Sequence, residues 1–350
     1  MKRLGIIAGA FALPFAIVLF VQSCTIDPDI PDVLSPEDVK FRIPQGFPQP
    51  SYDFSLNPVT IDGFKLGRKL FYDPLLSVDN TISCGSCHQQ FVAFAHSEHQ
   101  VSHGVGGQIG TRNAPGLWNL AWHEDFMWDG GIPHIESQPL GPIENPVEMG
   151  ETIGNVIAKL EASADYPELF EAAFGSDTIT TQRITQAIAQ FQGLMISDNS
   201  KYDQAMRGEI SFTPQEQYGL ATFRSKCASC HPEPLFTDHG FHNNGLPPEP
   251  TIMDAGRMMI TANPADSMKF KTPSLRNIAV TGPYMHDGRF TTLTQCLNHY
   301  SGGNMYQSAT LDTALTNGIP LTAVEKSDLI AFLGTLTDYT LIEDTKFKEQ

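Results

Sequence analysis

Cys84-Gly85-Ser86-Cys87-His88 recurs as Cys227-Ala228-Ser229-Cys230-His231, and no other feature narrows what this chain can fold into as much. Two thiols three positions apart on a tight turn can add to the two vinyl groups of one porphyrin, and the histidine that follows then lies under the iron as proximal ligand. An all-thiolate zinc site or a redox dithiol would use the cysteines but leave both trailing histidines without a part. The repeat therefore predicts two covalently bound haem c groups. At 350 residues the chain is long enough for two domains, each burying its own core.

Composition fits cores that are partly non-protein. Apolar residues make up 41% and charged residues 17%, while 25 prolines and 29 glycines point to long loops wrapped round bulky groups. The periodic stretches are helical. A short helix is expected around Phe64 to Phe71, and Ile184, Ile188 and Phe191 share one face of another. Thr213, Pro214 and Glu216 form a capping box that opens a helix running to Phe223, just ahead of the second cysteine pair. Thr322 and Glu325 form another before Leu329, Phe332, Leu333 and Leu336, a stripe suited to closing over a haem or a helix. No β-rich stretch competes. The predicted fold class is mainly α, with two cytochrome c-like haem domains and long loops over 53–200 and 201–350.

The first residues read as a targeting segment. Lys2 and Arg3 precede an apolar run from Leu4 to Val21, and Ser23-Cys24 follows. Residues 1–23 are expected to be a lipoprotein signal peptide, with Cys24 becoming the lipidated N-terminus. The alternative is a single membrane anchor, which Pro14 and the small residue before Cys24 disfavour. Residues 24–52, rich in Pro and Asp, are expected to be a tether that adds little to any core. The expected location is the periplasm, held to the membrane by lipid. Loss of Lys2 and Arg3 takes the formal charge from −17 to −19, which argues against nucleic acid as a partner.

Between the cysteine pairs lie Arg112-Asn113-Ala114-Pro115, Met127-Trp128-Asp129-Gly130, Gln138, and Glu144-Asn145-Pro146-Val147-Glu148-Met149-Gly150. On these segments, and over most of Phe64 to Leu336, the chain resembles the bacterial di-haem cytochrome c peroxidases and their MauG-type relatives. Trp128, Gln138 and Glu148 fall at intervals of ten, the interval at which that family places its inter-haem tryptophan, distal glutamine and catalytic glutamate.

The resemblance implies roles. The first haem, on Cys84, Cys87 and His88, would be the peroxide site, with Glu148 as acid and base and Gln138 orienting the peroxide. A carboxylate there can take a proton from bound peroxide and return it to the far oxygen as the O–O bond breaks. Trp128 would help carry an electron from the second haem, on Cys227, Cys230 and His231. For the sixth ligand of that haem the resemblance points to Tyr300, where the peroxidases proper have methionine and the MauG-type members tyrosine; Met285, fifteen residues earlier, is the rival. Iron would thus be held by His88, His231 and Tyr300. A calcium ion would take Asn113, Thr281 and Pro283. His103 is two residues out of register with the family's resting loop ligand, and His96 and His99 are equal candidates, so the resting ligand stays open. Cys296 reads as a small buried apolar residue.

Three activities are consistent with this. The first is a cytochrome c peroxidase, an oxidoreductase reducing hydrogen peroxide with electrons from a small cytochrome c or cupredoxin. The second is MauG-type oxidation of a protein side chain, suggested by Tyr300, since a tyrosinate ligand would stabilise higher oxidation states. The third is a plain di-haem electron carrier. The resemblance leaves a homodimer open as the assembly.

Overall fold

The computed structural model describes residues 33–350 apart from Glu98 and Asn304. The signal segment, Cys24 and the first part of the tether lie outside the described residues. The helices are α1 (Ile61–Tyr72), α2 (Cys84–Cys87), α3 (Leu140–Glu144), α4 (Ile153–Glu161), α5 (Tyr166–Phe174), α6 (Thr181–Gly193), α7 (Lys201–Met206), α8 (Pro214–Lys226), α9 (Met258–Thr261), α10 (Leu293–Ser301), α11 (Ala323–Gly334) and α12 (Tyr339–Glu343). Among the described residues the only paired strands are β1 (Phe241–His242) and β2 (Phe270–Lys271), antiparallel, with Phe241 opposite Lys271. The mainly α expectation holds, and no helix among the described residues is long and apolar enough to cross a membrane.

Each cysteine motif is preceded by a helix that crosses a later one at a glycine. A Cβ on Gly67 of α1 would lie 1.9 Å from the Ala187 carbonyl oxygen of α6, and one on Gly219 of α8 would lie 2.0 Å from the Asp328 oxygen of α11. Only a residue without a side chain lets the backbones approach this closely. Around the first crossing, Phe64, Phe71 and Phe191 pack on one side while Leu66, Leu70, Ile184 and Ile188 pack on the other. Around the second, Leu220 and Phe223 meet Leu329, Phe332, Leu333 and Leu336. Each fully buried side chain of this size contributes roughly 1.5–3 kcal/mol of transfer free energy. The C-terminal stripe thus closes over a helix, and the capping boxes of Thr213 with Glu216 and Thr322 with Glu325 both form.

Leu34 to Gln350 forms one compact unit. Two segments pack differently from their expected place. Val39 and Tyr52, in the stretch read as tether, are buried in the core of the first cysteine motif, and Arg42 Nη2 meets Asp198 Oδ1 at 2.8 Å. Single apolar residues without a period can fill gaps on an existing core, which a search for periodicity does not detect. The end of the chain also returns to the first half. Leu341 and Phe347 join the same core, and Tyr72 donates its hydroxyl to the Phe347 carbonyl at 2.7 Å.

Candidate active site

The two cysteine motifs are built alike. Cys84 to Cys87 form one helical turn, with Ser83 N donating to Ser86 Oγ at 3.0 Å, and His88 N closes on the Cys84 carbonyl at 2.9 Å. His231 N closes on Cys227 O at 3.0 Å in the same way. The four thiols are unbridged. Burial pushes Cys84 up to about 12 and Cys227 to about 11, so both stand as neutral thiols.

Each histidine is fixed by its Nδ1. His88 Nδ1–H donates to Phe94 O at 2.9 Å, and His231 Nδ1–H to Phe236 O at 3.0 Å. The acceptor residues, Phe94 at φ 58° and Phe236 at φ 56°, sit in left-handed turns that aim the carbonyls inward. Nε2 is left as the free lone pair on both rings. Burial drives His88 down to about 4 and His231 below its usual value, which keeps the neutral, ligating imidazole. This donor set fits haem c.

On the first motif's side, Glu148 is brought against the glycine loop. Val105 N donates to Glu148 O at 2.8 Å, and a Cβ on Gly104 would lie 2.2 Å from Val147 O. Burial pushes the Glu148 carboxyl up, opposed by Asn145, Arg112 and Ser102, and its charge is felt at both Cys84 and Cys87. Gln138 is buried, and its Oε1 has no hydrogen-bond partner among the described residues. An acceptor stranded in this way is suited to a ligand that donates an O–H. His96, His99 and His103 gather in one cluster, with ring centroids 4.2 Å apart for His99 and His103 and 5.1 Å for His96 and His99. Of the three, His96 is buried, its Nδ1 is without a partner, and its charge is felt at His88.

Trp128 lies where segments from the two halves are stitched together. Its indole N–H donates to Asn113 O at 2.8 Å, and its own carbonyl accepts from Lys271 N at 2.7 Å. Asn113 N donates to His286 O at 2.7 Å, and Arg112 bridges Asp129 and Asp254 at 2.6 Å each. Asn113 Nδ2 donates to Gln100 O at 3.1 Å, which leaves Oδ1 as the atom a cation would take. Thr281 and Pro283 lie just before His286 on the strand of chain that meets Asn113.

Tyr300 lies on the second motif's side, and Asn244 joins it to Met285. Burial pushes the Tyr300 hydroxyl up to about 12, Asn244 pulls it the other way, and the charges of Cys296, Cys230 and Cys227 are felt there. Asn244 Nδ2 also donates to Met285 Sδ at 3.5 Å. Met285 occupies a left-handed position, φ 75°, in the turn closed by Tyr284 N on Phe290 O at 2.7 Å. The rival sulfur is therefore held by a turn and an amide. Asn244 was not legible in the sequence, since nothing in its neighbourhood marks an amide that reaches across to residues 285 and 300. The same is true of Lys271, His123 and His239, which meet beside Trp128 from three distant stretches.

A family model described as di-haem cytochrome c peroxidase matches residues 62–211. The methylamine utilization protein MauG of Methylorubrum extorquens is 35% identical, over 85% of this chain and 83% of its own length. The cytochrome c551 peroxidase of Nitrosomonas europaea is 36% identical, over 81% of this chain and 82% of its own length. Among solved structures, a MauG-like protein associated with microbial copper homeostasis superposes with a TM-score of 0.81 at 36% identity, covering 88% of this chain and 98% of that one.

Proposed function

Because this chain belongs to the di-haem cytochrome c peroxidase family, we propose that it reduces hydrogen peroxide to water beside Cys84, Cys87 and His88, with electrons entering on the side of Cys227, Cys230 and His231. Haem c would be held by these residues, with Tyr300 as a further ligand on the second side, and would supply the redox-active iron. Two electrons and two protons convert one peroxide to two waters. Glu148 takes the proton from the near oxygen and returns it to the far one, so that the leaving oxygen departs as water and not as hydroxide. Gln138 Oε1 accepts from the peroxide O–H and orients it. Trp128 bridges the two halves for the electron. The observation that carries this reading is the half-buried Glu148 carboxyl, raised by burial, with its charge felt at both first-motif thiols.

The test is steady-state peroxide turnover with reduced cytochrome c or cupredoxin as donor, in the wild type and in Glu148→Ala. Undiminished turnover in the variant removes Glu148 from the mechanism. The acidic balance, −17 overall, favours a donor with a basic face.

A second reading, oxidation of a protein side chain, is supported by a buried Tyr300 at which the charges of Cys227 and Cys230 are felt, while Asn244 holds Met285. It is separated from the first by adding peroxide to the fully ferric enzyme. A long-lived state oxidised at both haems favours this reading, and rapid decay without prior reduction counts against it. The same proposal includes a lipid anchor at Cys24 in the periplasm and a calcium ion at Asn113, Thr281 and Pro283. The anchor is supported by the N-terminal sequence alone, and the calcium by Asn113, whose Nδ2 is spent on Gln100 O and whose N–H meets His286 O where the two halves join.

A further inference from the structure

Beside Trp128 three basic side chains converge, and Asp125, Asp129 and Asp238 act on Lys271 and His239 only through space. Lys271 Nζ donates to the Asp125 carbonyl at 2.6 Å and to His123 Nδ1 at 3.2 Å. His123 and His239 meet edge to face, their centroids 4.7 Å apart. Both ring nitrogens of His239 are buried without a hydrogen-bond partner, and the residue is held at φ 54°, a conformation a histidine adopts at a cost. Of the neighbouring cations, three have carboxylate partners, while Arg257 stacks on Phe241 and donates to the Asp129 carbonyl at 3.1 Å. Arg112 pairs with Asp129 and Asp254, Arg276 with Asp203, and Arg289 with Asp287. Lys271 has no carboxylate within ion-pair distance among the described residues, because Asp125 offers it a backbone oxygen and Asp129 is taken by Arg112.

A largely buried ammonium without a counter-charge is costly, and two imidazoles beside it with nitrogens to spare are costly too. The arrangement is complete only with an anion. One ammonium and two neutral imidazole N–H groups match a single carboxylate, which carries one charge and accepts several hydrogen bonds. His123 gives its Nδ1 lone pair to Lys271, so its proton is on Nε2 and is available to donate.

We propose that Lys271, His123 and His239 form the receptor for a haem carboxylate, a propionate of the group bound to Cys227 and Cys230. The assignment rests on the two-haem reading and uses the chemistry of the cofactor. A porphyrin joined to protein through its vinyl carbons presents its two carboxylates at another edge, and these must be neutralised where water is excluded. His239 and Lys271 belong to the loop that folds back over the second motif. Phe236 O accepts from His231 Nδ1, Asp238 N donates to Cys230 O at 3.0 Å, and Thr272 N donates to Gly240 O at 2.8 Å. The backbone N–H of Lys271 on the Trp128 carbonyl then ties this receptor to the inter-haem tryptophan. Burial also lowers Lys271 to about 8, against the opposing pull of Asp125 and Asp129.

The test is spectroelectrochemistry of the holoenzyme, with haem content measured first. Fewer than two haems per wild-type chain would defeat the two-haem reading and not this assignment in particular. With two haems present, Lys271→Met should lower the reduction potential of the second haem, since a lost positive charge favours the ferric state, and should leave the first haem's potential in place. Lys271→Arg should restore the wild-type value. Acetate or chloride added to the wild type should change neither potential. An unchanged second-haem potential in Lys271→Met would overturn the assignment, and so would a wild-type potential that follows acetate concentration, because the site would then hold an exchangeable ion. Should Lys271→Met fail to mature, His239→Leu removes a donor and keeps the charge. It should shift the same potential downward by less than the full charge effect, and no shift would overturn the proposal equally.

Discussion

The indole N–H of Trp128 ends on the backbone carbonyl of Asn113, 2.8 Å away. A carbonyl accepts a hydrogen bond but is too weak a base to take the proton, so electron passage through the ring need not wait for proton transfer. Trp128→Phe keeps an aromatic ring and removes the bond. The expected loss of stability is about 1 kcal/mol, the net worth of one hydrogen bond, while electron transfer between the haems slows markedly. Chemical denaturation and stopped-flow reduction of the first haem, run on the same variant, check the split. Equal transfer rates would remove Trp128 from the path.

That relationship also marks the limit of what could be read beforehand. Local chemistry was legible. The C-x-x-C-H turns, the capping boxes of Thr213 and Thr322, and the helix that buries Ile184, Ile188 and Phe191 all depend on residues within a turn or two of each other, and all form, although Phe191 packs in a different core cluster from the two isoleucines. What depended on chain separation was hidden. Trp128 meets Asn113 from fifteen residues away, Arg112 meets Asp254 from 142 away, and Tyr72 meets Phe347 from 275 away. Val39 and Tyr52 joined a core through isolated contacts that leave no period in the sequence. Roles were assigned to Glu148 and Gln138 by resemblance; the raised carboxyl and the stranded Oε1 are properties of the folded surroundings alone.

Glu148 should carry a stability cost that depends on pH. Burial raises its carboxyl, outweighing the opposing pull of Asn145, Arg112 and Ser102. A group whose folded value is raised favours the folded state when protonated, and that advantage is lost as pH rises through the folded value. At neutral pH the ionised carboxylate is therefore destabilising. Glu148→Gln should melt higher than the wild type at neutral pH, and the two curves should converge as the pH falls. Melting curves taken at several pH values test this, and parallel curves at all pH values would contradict it.

Arg276 and Asp203 form the opposite case. Arg276 is fully buried, and its Nη1 and Nη2 meet the two Asp203 oxygens at 2.9 and 2.8 Å. Burial alone would raise the Asp203 carboxyl, but the guanidinium and Ser200 together hold it below the usual range. Its contribution is present above the unfolded carboxyl value and is lost as pH falls through the lowered folded one. Asp203→Asn strands a buried guanidinium and should cost about 3–5 kcal/mol at neutral pH. The deficit relative to wild type should shrink in acid, where the wild type also loses the pair. Urea denaturation at neutral and acidic pH measures both.

The glycine crossings set the last expectation, because a clash with backbone cannot be relieved by rotating a side chain. Alanine at Gly67 would place its Cβ 1.9 Å from the Ala187 oxygen, so α1 and α6 would have to separate. Overpacking typically costs about 1–3 kcal/mol, and a backbone obstacle puts Gly67→Ala at the upper end of that range. Gly154 is the control. It is exposed in α4, with nothing within 4 Å of a built Cβ, so Gly154→Ala should instead stabilise by about 0.5–1 kcal/mol by relieving helix entropy. Both glycines are helical and receive the same substitution, so opposite signs in paired denaturation curves would come from the crossing and not from helix propensity. The penalty should extend to function. Phe71 and Tyr72 at the end of α1 pack beside the turn that presents Cys84, and a Cβ on Gly85 would lie 2.4 Å from the Tyr72 ring, so a displaced α1 should also reduce covalent haem per chain in Gly67→Ala but not in Gly154→Ala.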